Sequence, residues 1–115
     1  MGSLIKILGQ GVPTTTTSTT LYTVPNNSTQ TSIPDVVVCN VTTSPAAAYL
    51  YAVKGGGTAA TTNALAYGMS IPANSTITLN LSATLSNTSG VVDFLVCGSG
   101  TASALTFTAF GNETF

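Results

Sequence analysis

A chain of 115 residues with two basic and three acidic side chains, and with neither histidine nor tryptophan, carries a net charge of -1. So little charge creates no field for gathering phosphates, so nucleic-acid binding is not expected. No apolar run approaches the length of a membrane-spanning helix, and one domain accounts for the length.

In chain order, Leu4, Ile5, Ile7 and Leu8 spell either a short edge strand or an extended arm reaching onto a neighbour, with Gly9 and Gly11 closing it. The threonine run from Thr14 to Thr20 leads directly into Leu21, Tyr22, Thr23 and Val24. Threonine favours strands, which argues for an extended lead-in ordered against the domain rather than a dangling tether. The expected division is therefore residues 1–19 as arm and lead-in, and residues 20–115 as a β-sandwich domain. Pro25, Asn26 and Asn27 suit a turn.

The runs Ile33 to Val41 and Ala47 to Val53 are the strongest strand signals, dense in branched and aromatic residues. Thr42 to Pro45 between them predicts an antiparallel pair. In the first run the face carrying Asn40 is expected to approach solvent or a partner. The second is apolar on both faces, which calls for a sheet behind it and a loop or second subunit in front. Lys54 to Thr62 reads as a flexible loop. Leu65, Tyr67, Met69 and Ile71 alternate with small residues up to Pro72, and Ile77, Leu79 and Leu81 alternate with polar ones after Ser75, which predicts a β-hairpin. Val91 to Cys97 reads as one strand. In the last strand, Leu105, Phe107 and Ala109 oppose Thr106, Thr108 and Phe110. The sum is an all-β chain, a single antiparallel β-sandwich of seven to eight short strands, immunoglobulin-like or jelly-roll-like, with an extended N-terminal arm.

Without histidine there is no nucleophile-base pair and no zinc cluster. Asp35, Asp93 and Glu113 lie far apart in sequence with no supporting third group, so neither catalysis nor a metal or cofactor is expected. Cys39 and Cys97 are read as two free thiols, because the tryptophan and tyrosine that accompany an immunoglobulin bridge are missing.

The segments Lys6-Ile7-Leu8-Gly9-Gln10, Leu21-Tyr22-Thr23-Val24-Pro25, Val37-Val38-Cys39-Asn40, Leu65-Ala66-Tyr67, Ile71-Pro72-Ala73-Asn74-Ser75 and Phe107-Thr108-Ala109-Phe110-Gly111-Asn112-Glu113 resemble, in order, small virion proteins of tailed bacteriophages, cyanophages included. The resemblance implies a virion subunit made in the host cytoplasm that binds the assembled capsid surface and decorates or cements it. The major capsid protein or another virion protein would be its partner, alongside a homo-oligomer, a trimer being one form. Candidate assembly contacts are Leu4, Ile5, Ile7, Leu8, Tyr49, Tyr51, Phe110 and Phe115, with the first four or the tail from Phe110 acting as an arm. The alternative is a tail- or fibre-associated carbohydrate-binding or receptor-binding module using Tyr22, Tyr49, Tyr51 or Tyr67.

Overall fold

The computed structural model describes residues 2–17, 19–25 and 28–115, so Asn26 and Asn27 of the expected turn and Ser18 of the threonine run lie outside the described residues. The described residues form nine strands: β1 (Ser3–Gly11), β2 (Thr19–Thr23), β3 (Thr29–Asn40), β4 (Ala46–Val53), β5 (Ala64–Ile71), β6 (Thr76–Thr88), β7 (Val91–Val92), β8 (Phe94–Ser99) and β9 (Leu105–Thr114). They build two antiparallel sheets, one ordered β1-β9-β3-β6-β7 and the other β2-β8-β4-β5. The result is an all-β sandwich. Ile33, Val36, Val38, Leu50, Leu95, Leu105, Phe107 and Ala109 meet between the sheets with no exposed surface.

The chain changes sheet at most of its connections, and this corrects two expected pairings. β3 and β4 do not form a hairpin, nor do β5 and β6, because the members of each pair lie in different sheets. Period-two alternation identifies a strand's buried face but not its hydrogen-bonded neighbour. Four or five extended residues reach about 13–16 Å, enough to cross the roughly 10 Å between sheets as readily as to fold back in one.

Asn40 is built into the first of these crossings. Its Nδ2 donates to the carbonyls of Ser44 at 2.9 Å and Ile71 at 3.0 Å, while its Oδ1 accepts from Thr42 N at 2.9 Å and Thr42 Oγ1 at 2.7 Å. The amide's full bonding capacity is used, which is what lets a polar side chain be 1% exposed. The expectation that this face approaches solvent is therefore reversed: Val36, Val38 and Asn40 face the core, and Val41 is exposed.

β4 is apolar on both faces for the reason expected. One face joins the main core. On the other, Tyr51, Val53 and Val96 form a second buried cluster, against which Tyr49, Phe94, Ala64 and Ala59 of the β4–β5 loop pack. The loop ends in a single 3-10 turn, Thr61–Asn63. The run Val91 to Cys97 is not one strand, since β7 and β8 belong to different sheets and Asp93 alone separates them.

Thr14 to Thr17 bend against β8 rather than running extended, while Thr19 and Thr20 are extended as the start of β2 and pair with β8. Thr15 O accepts from Ser99 N at 2.9 Å, and a Cβ on Gly98 would fall 1.8 Å from Thr16 O, so only glycine admits the loop there. Both cysteines are free thiols: Cys97 is buried in the core, and burial pushes its thiol up to about 12, while Cys39 is half-buried.

Candidate assembly surface

β1 is an edge strand of the five-stranded sheet rather than a free arm. It pairs with β9 from Ser3↔Thr114 to Gly11↔Phe107, with one register shift between Ile7 and Gly9. The same pairing holds the tail, so Phe110 to Thr114 is sheet and not an arm, and Phe115 is tied at its backbone N–H to Gly2 O at 2.9 Å. The physical reason is mutual: each segment supplies the ladder partner that the other would otherwise lack.

Directly opposed residues in an antiparallel ladder share a face, which sorts the candidate contacts. Ile7 opposes Phe110, Phe110 opposes Asp35 and Asp35 opposes Asn80, giving one row on the outer face. Ile5 opposes Asn112 in the row beside it. Ile5 is 86% exposed, and with Pro34, Phe110 and Gly111 it lines a shallow apolar depression at the β1 edge. The next row, Gln10, Thr108, Val37 and Thr78, is mainly polar. Ile5, Ile7 and Phe110 are thus brought together, at one corner of an otherwise threonine- and asparagine-rich face.

The remaining candidates are dispersed. Leu8 is half-buried and packs on the core, and Tyr51 is 1% exposed and touches no surface. Tyr49 is half-buried and meets Tyr67 edge to face, ring centroids 5.0 Å apart, on the outer face of the other sheet. Of the four tyrosines proposed for sugar recognition, Tyr22 and Tyr51 are buried and Tyr67 alone is exposed. Leu4 and Phe115 rim a depression at one end of the sandwich together with Lys6, Pro25, Thr29 and Glu113.

That end holds a charged network which the sequence reading missed. Glu113 is 4% exposed; its Oε1 lies 3.0 Å from Lys6 Nζ, and its Oε2 accepts a short hydrogen bond from the Tyr22 hydroxyl. Thr31 Oγ1 is 2.8 Å from the same hydroxyl. Burial by itself raises the Glu113 carboxyl, but the hydrogen bonds from Tyr22 and Lys6 and the Lys6 charge outweigh it and hold it below its usual value. Tyr22 is pushed well above the ordinary phenol range, first by burial and then by its bond to Glu113. The available signal was rarity: one of two lysines and one of three acids sit near opposite chain ends.

A pH prediction follows from the depressed carboxyl. Its contribution to stability is complete above the unfolded value near 4.5 and is lost as pH falls through the lower folded value. Thermal unfolding between pH 5 and pH 2 is expected to show a smaller acid loss in Glu113→Gln than in the parent, and equal slopes would refute the assignment. Among the described residues, no group of three or more His, Cys, Asp or Glu side chains is placed to hold a metal ion.

No family model matches the chain, and no curated protein does. Solved structures do match. A chain in the structure of infectious bursal disease virus, Gt strain, aligns at TM-score 0.51 and 15% identity over 97% of this chain and 32% of its own length. A chain of the Gx strain aligns at the same score and identity, over 97% and 30%. This chain therefore spans about a third of the chains it matches, and at that identity the likeness establishes the fold. It also overturns the resemblance to tailed-bacteriophage virion proteins, because the matching structures come from a virus without a tail. The bacteriophage and tail assignments fall with it; short ordered motifs in a threonine-rich strand protein are supplied as readily by composition as by kinship.

Proposed function

We propose that the chain is a structural subunit of a virus particle, a non-enzymatic sandwich that packs on the assembled shell and stabilises it. The carrying observation is that 97% of the chain superposes on chains from two virus structures. The disposition of its charged groups supports the same reading. The Asp93 and Glu113 carboxylates are engaged in hydrogen bonds within the fold, and Lys6 is engaged by Glu113. What faces outward from the larger sheet is mainly threonine, serine and asparagine around one apolar corner, with Asp35 its one carboxylate. Such a skin makes hydrogen-bonded contacts to a neighbouring protein while burying little charge. A subunit that binds the assembled shell and not its free components draws the assembly equilibrium toward the shell by mass action.

Particles isolated from the natural source by density-gradient centrifugation test this, with the chain quantified by mass spectrometry across the gradient. Co-sedimentation with the shell protein in many copies per particle is expected. Recovery only in the free-protein fractions would overturn the proposal.

A further inference from the structure

The four sheet edges are not equally defended. β7 is two residues long and pairs only Asn87 and Thr88, so along most of that side β6 is itself the edge, and its ladder to β3 is bulged between Asn80 and Ala83; β5 is interrupted by register shifts on either side of its Tyr67 and Ala66 pairs, with Gly68 at a φ of +69°. β2 is broken by a shift after Thr20, and β1 lies over its flank: a Cβ on Gly9 would sit 1.9 Å from Leu21 O. Short strands, bulges and covering segments are the ordinary protections of an edge. β1 between Ser3 and Ile7 has none of them. Its ladder to β9 is regular there, and its one lysine is engaged by Glu113.

The direction of its free backbone groups can be read from the ladder. Gly2 and Phe115 exchange both backbone hydrogen bonds, so by antiparallel alternation Leu4 and Lys6 also bond toward β9. Ser3, Ile5 and Ile7 therefore aim their N–H and C=O groups outward from the sheet. Those same residues carry side chains on the outer face, where Ile5 and Ile7 are 86% and 54% exposed.

We infer that this edge is a self-pairing interface: two copies join β1 to antiparallel β1 about a two-fold axis at Ile5, making one continuous sheet across the dimer. Charge and register single out a second copy as the occupant. Centred on Ile5, each of Ser3, Ile5 and Ile7 exchanges both backbone bonds with Ile7, Ile5 and Ser3 of the second copy, so every outward group of the run is satisfied. Lys6 then faces Leu4. A shift to a Lys6 centre places two lysines opposite each other and carries Ser3 past the register shift to Gly9, and a shift to Leu4 sets Ile5 opposite Ser3 instead of its own copy; both are poorer. The Ile5 side chains meet across the axis, and Ile7 and Phe110 extend the apolar strip on either side. The pairing is a property of the isolated chain, so its failure is distinguishable from failure of the particle proposal.

The test is sedimentation velocity over a concentration series on chain left untagged at its N-terminus. A monomer-dimer equilibrium is expected, weakened about tenfold or more by Ile5→Lys, which puts like charges at the axis. Ile5 is exposed in the monomer, so circular dichroism should report an unchanged fold. In a Cys39→Ser background, Ile5→Cys is expected to form a disulfide-linked dimer under mild oxidation, since the α-carbons of a hydrogen-bonded antiparallel pair lie about 5.5 Å apart. Ile7→Cys alone is expected not to, because its counterpart is four residues away along the partner strand. A monomer at all concentrations, a dimer indifferent to Ile5→Lys, or self-linkage through Ile7→Cys would each overturn the inference.

Discussion

Phe107→Ala is expected to remove about 3–5 kcal/mol of stability. Phe107 has no exposed surface, and it lies on β9, the second strand of the larger sheet, opposed by Val38 on one side and Gly11 on the other. Truncation removes the ring from the layer between the sheets, where Leu50, Leu95 and Leu105 complete the same cluster. Rigid strands on both flanks limit collapse of the cavity, which places the loss in the upper part of the large-to-small range. Against a typical total of about 5–15 kcal/mol, a loss of that size is about a fifth of the folding free energy or more. Urea denaturation reads the effect as a lower midpoint at an unchanged slope. Phe110→Ala is the matched control: it is three residues along the same strand, faces outward and is 39% exposed, so a shift within about 0.5 kcal/mol is expected. A larger loss from Phe110→Ala than from Phe107→Ala would mean that the faces of β9 have been assigned backwards.

That face was legible in the sequence because Leu105, Phe107 and Ala109 alternate cleanly with polar residues. The same held for Ile77, Leu79 and Leu81, which are half-buried and pack on the core. Alternation failed where both faces are apolar or where parity breaks. On β5, Ala66 pairs with Leu50 and Ile71 with Ala46, both core-facing, yet they are an odd number of residues apart. The register shift near Gly68 supplies the change of parity, and no period-two count anticipates a bulge. Asn40 misled for another reason. A strand-end asparagine usually signals solvent, and only the carbonyls of Ser44 and Ile71, brought together by the fold, make its burial tolerable. The assembly surface was half legible. Exposed isoleucines near the N-terminus could be named, but whether they belonged to an arm or an edge depended on β9, about a hundred residues away.

The second large effect is expected at Asp93, where a single residue carries the chain from one sheet to the other. Its Oδ1 accepts from Gly55 N at 3.0 Å, and its Oδ2 accepts from Ser86 N at 3.1 Å and Ser86 Oγ at 3.4 Å. Its backbone N–H donates to Ser86 O at 3.0 Å, and its carbonyl accepts from Val24 N at 3.3 Å. One carboxylate thus ties the start of the β4–β5 loop to β6, across the seam between the sheets. Asp93→Ala leaves the two backbone donors without their acceptor at a half-buried site. Hydrogen bonds to a charged group contribute about 1.5–3 kcal/mol each when buried, and partial exposure lowers that, so a total of about 2–3 kcal/mol is expected. Asp93→Asn should lose less, because one oxygen remains to accept, although its amide then faces a donor. Ser86→Ala, which removes only the long hydroxyl contact, should stay within about 0.5 kcal/mol. Amide hydrogen exchange separates this role from a general weakening: Gly55 and Ser86 are expected to lose protection beyond the drop seen at core amides such as Val38. If Asp93→Ala unfolds within about 0.5 kcal/mol of the parent, the seam is held by the packing of Val91 and Val92 against Gly55, and the carboxylate is incidental to it.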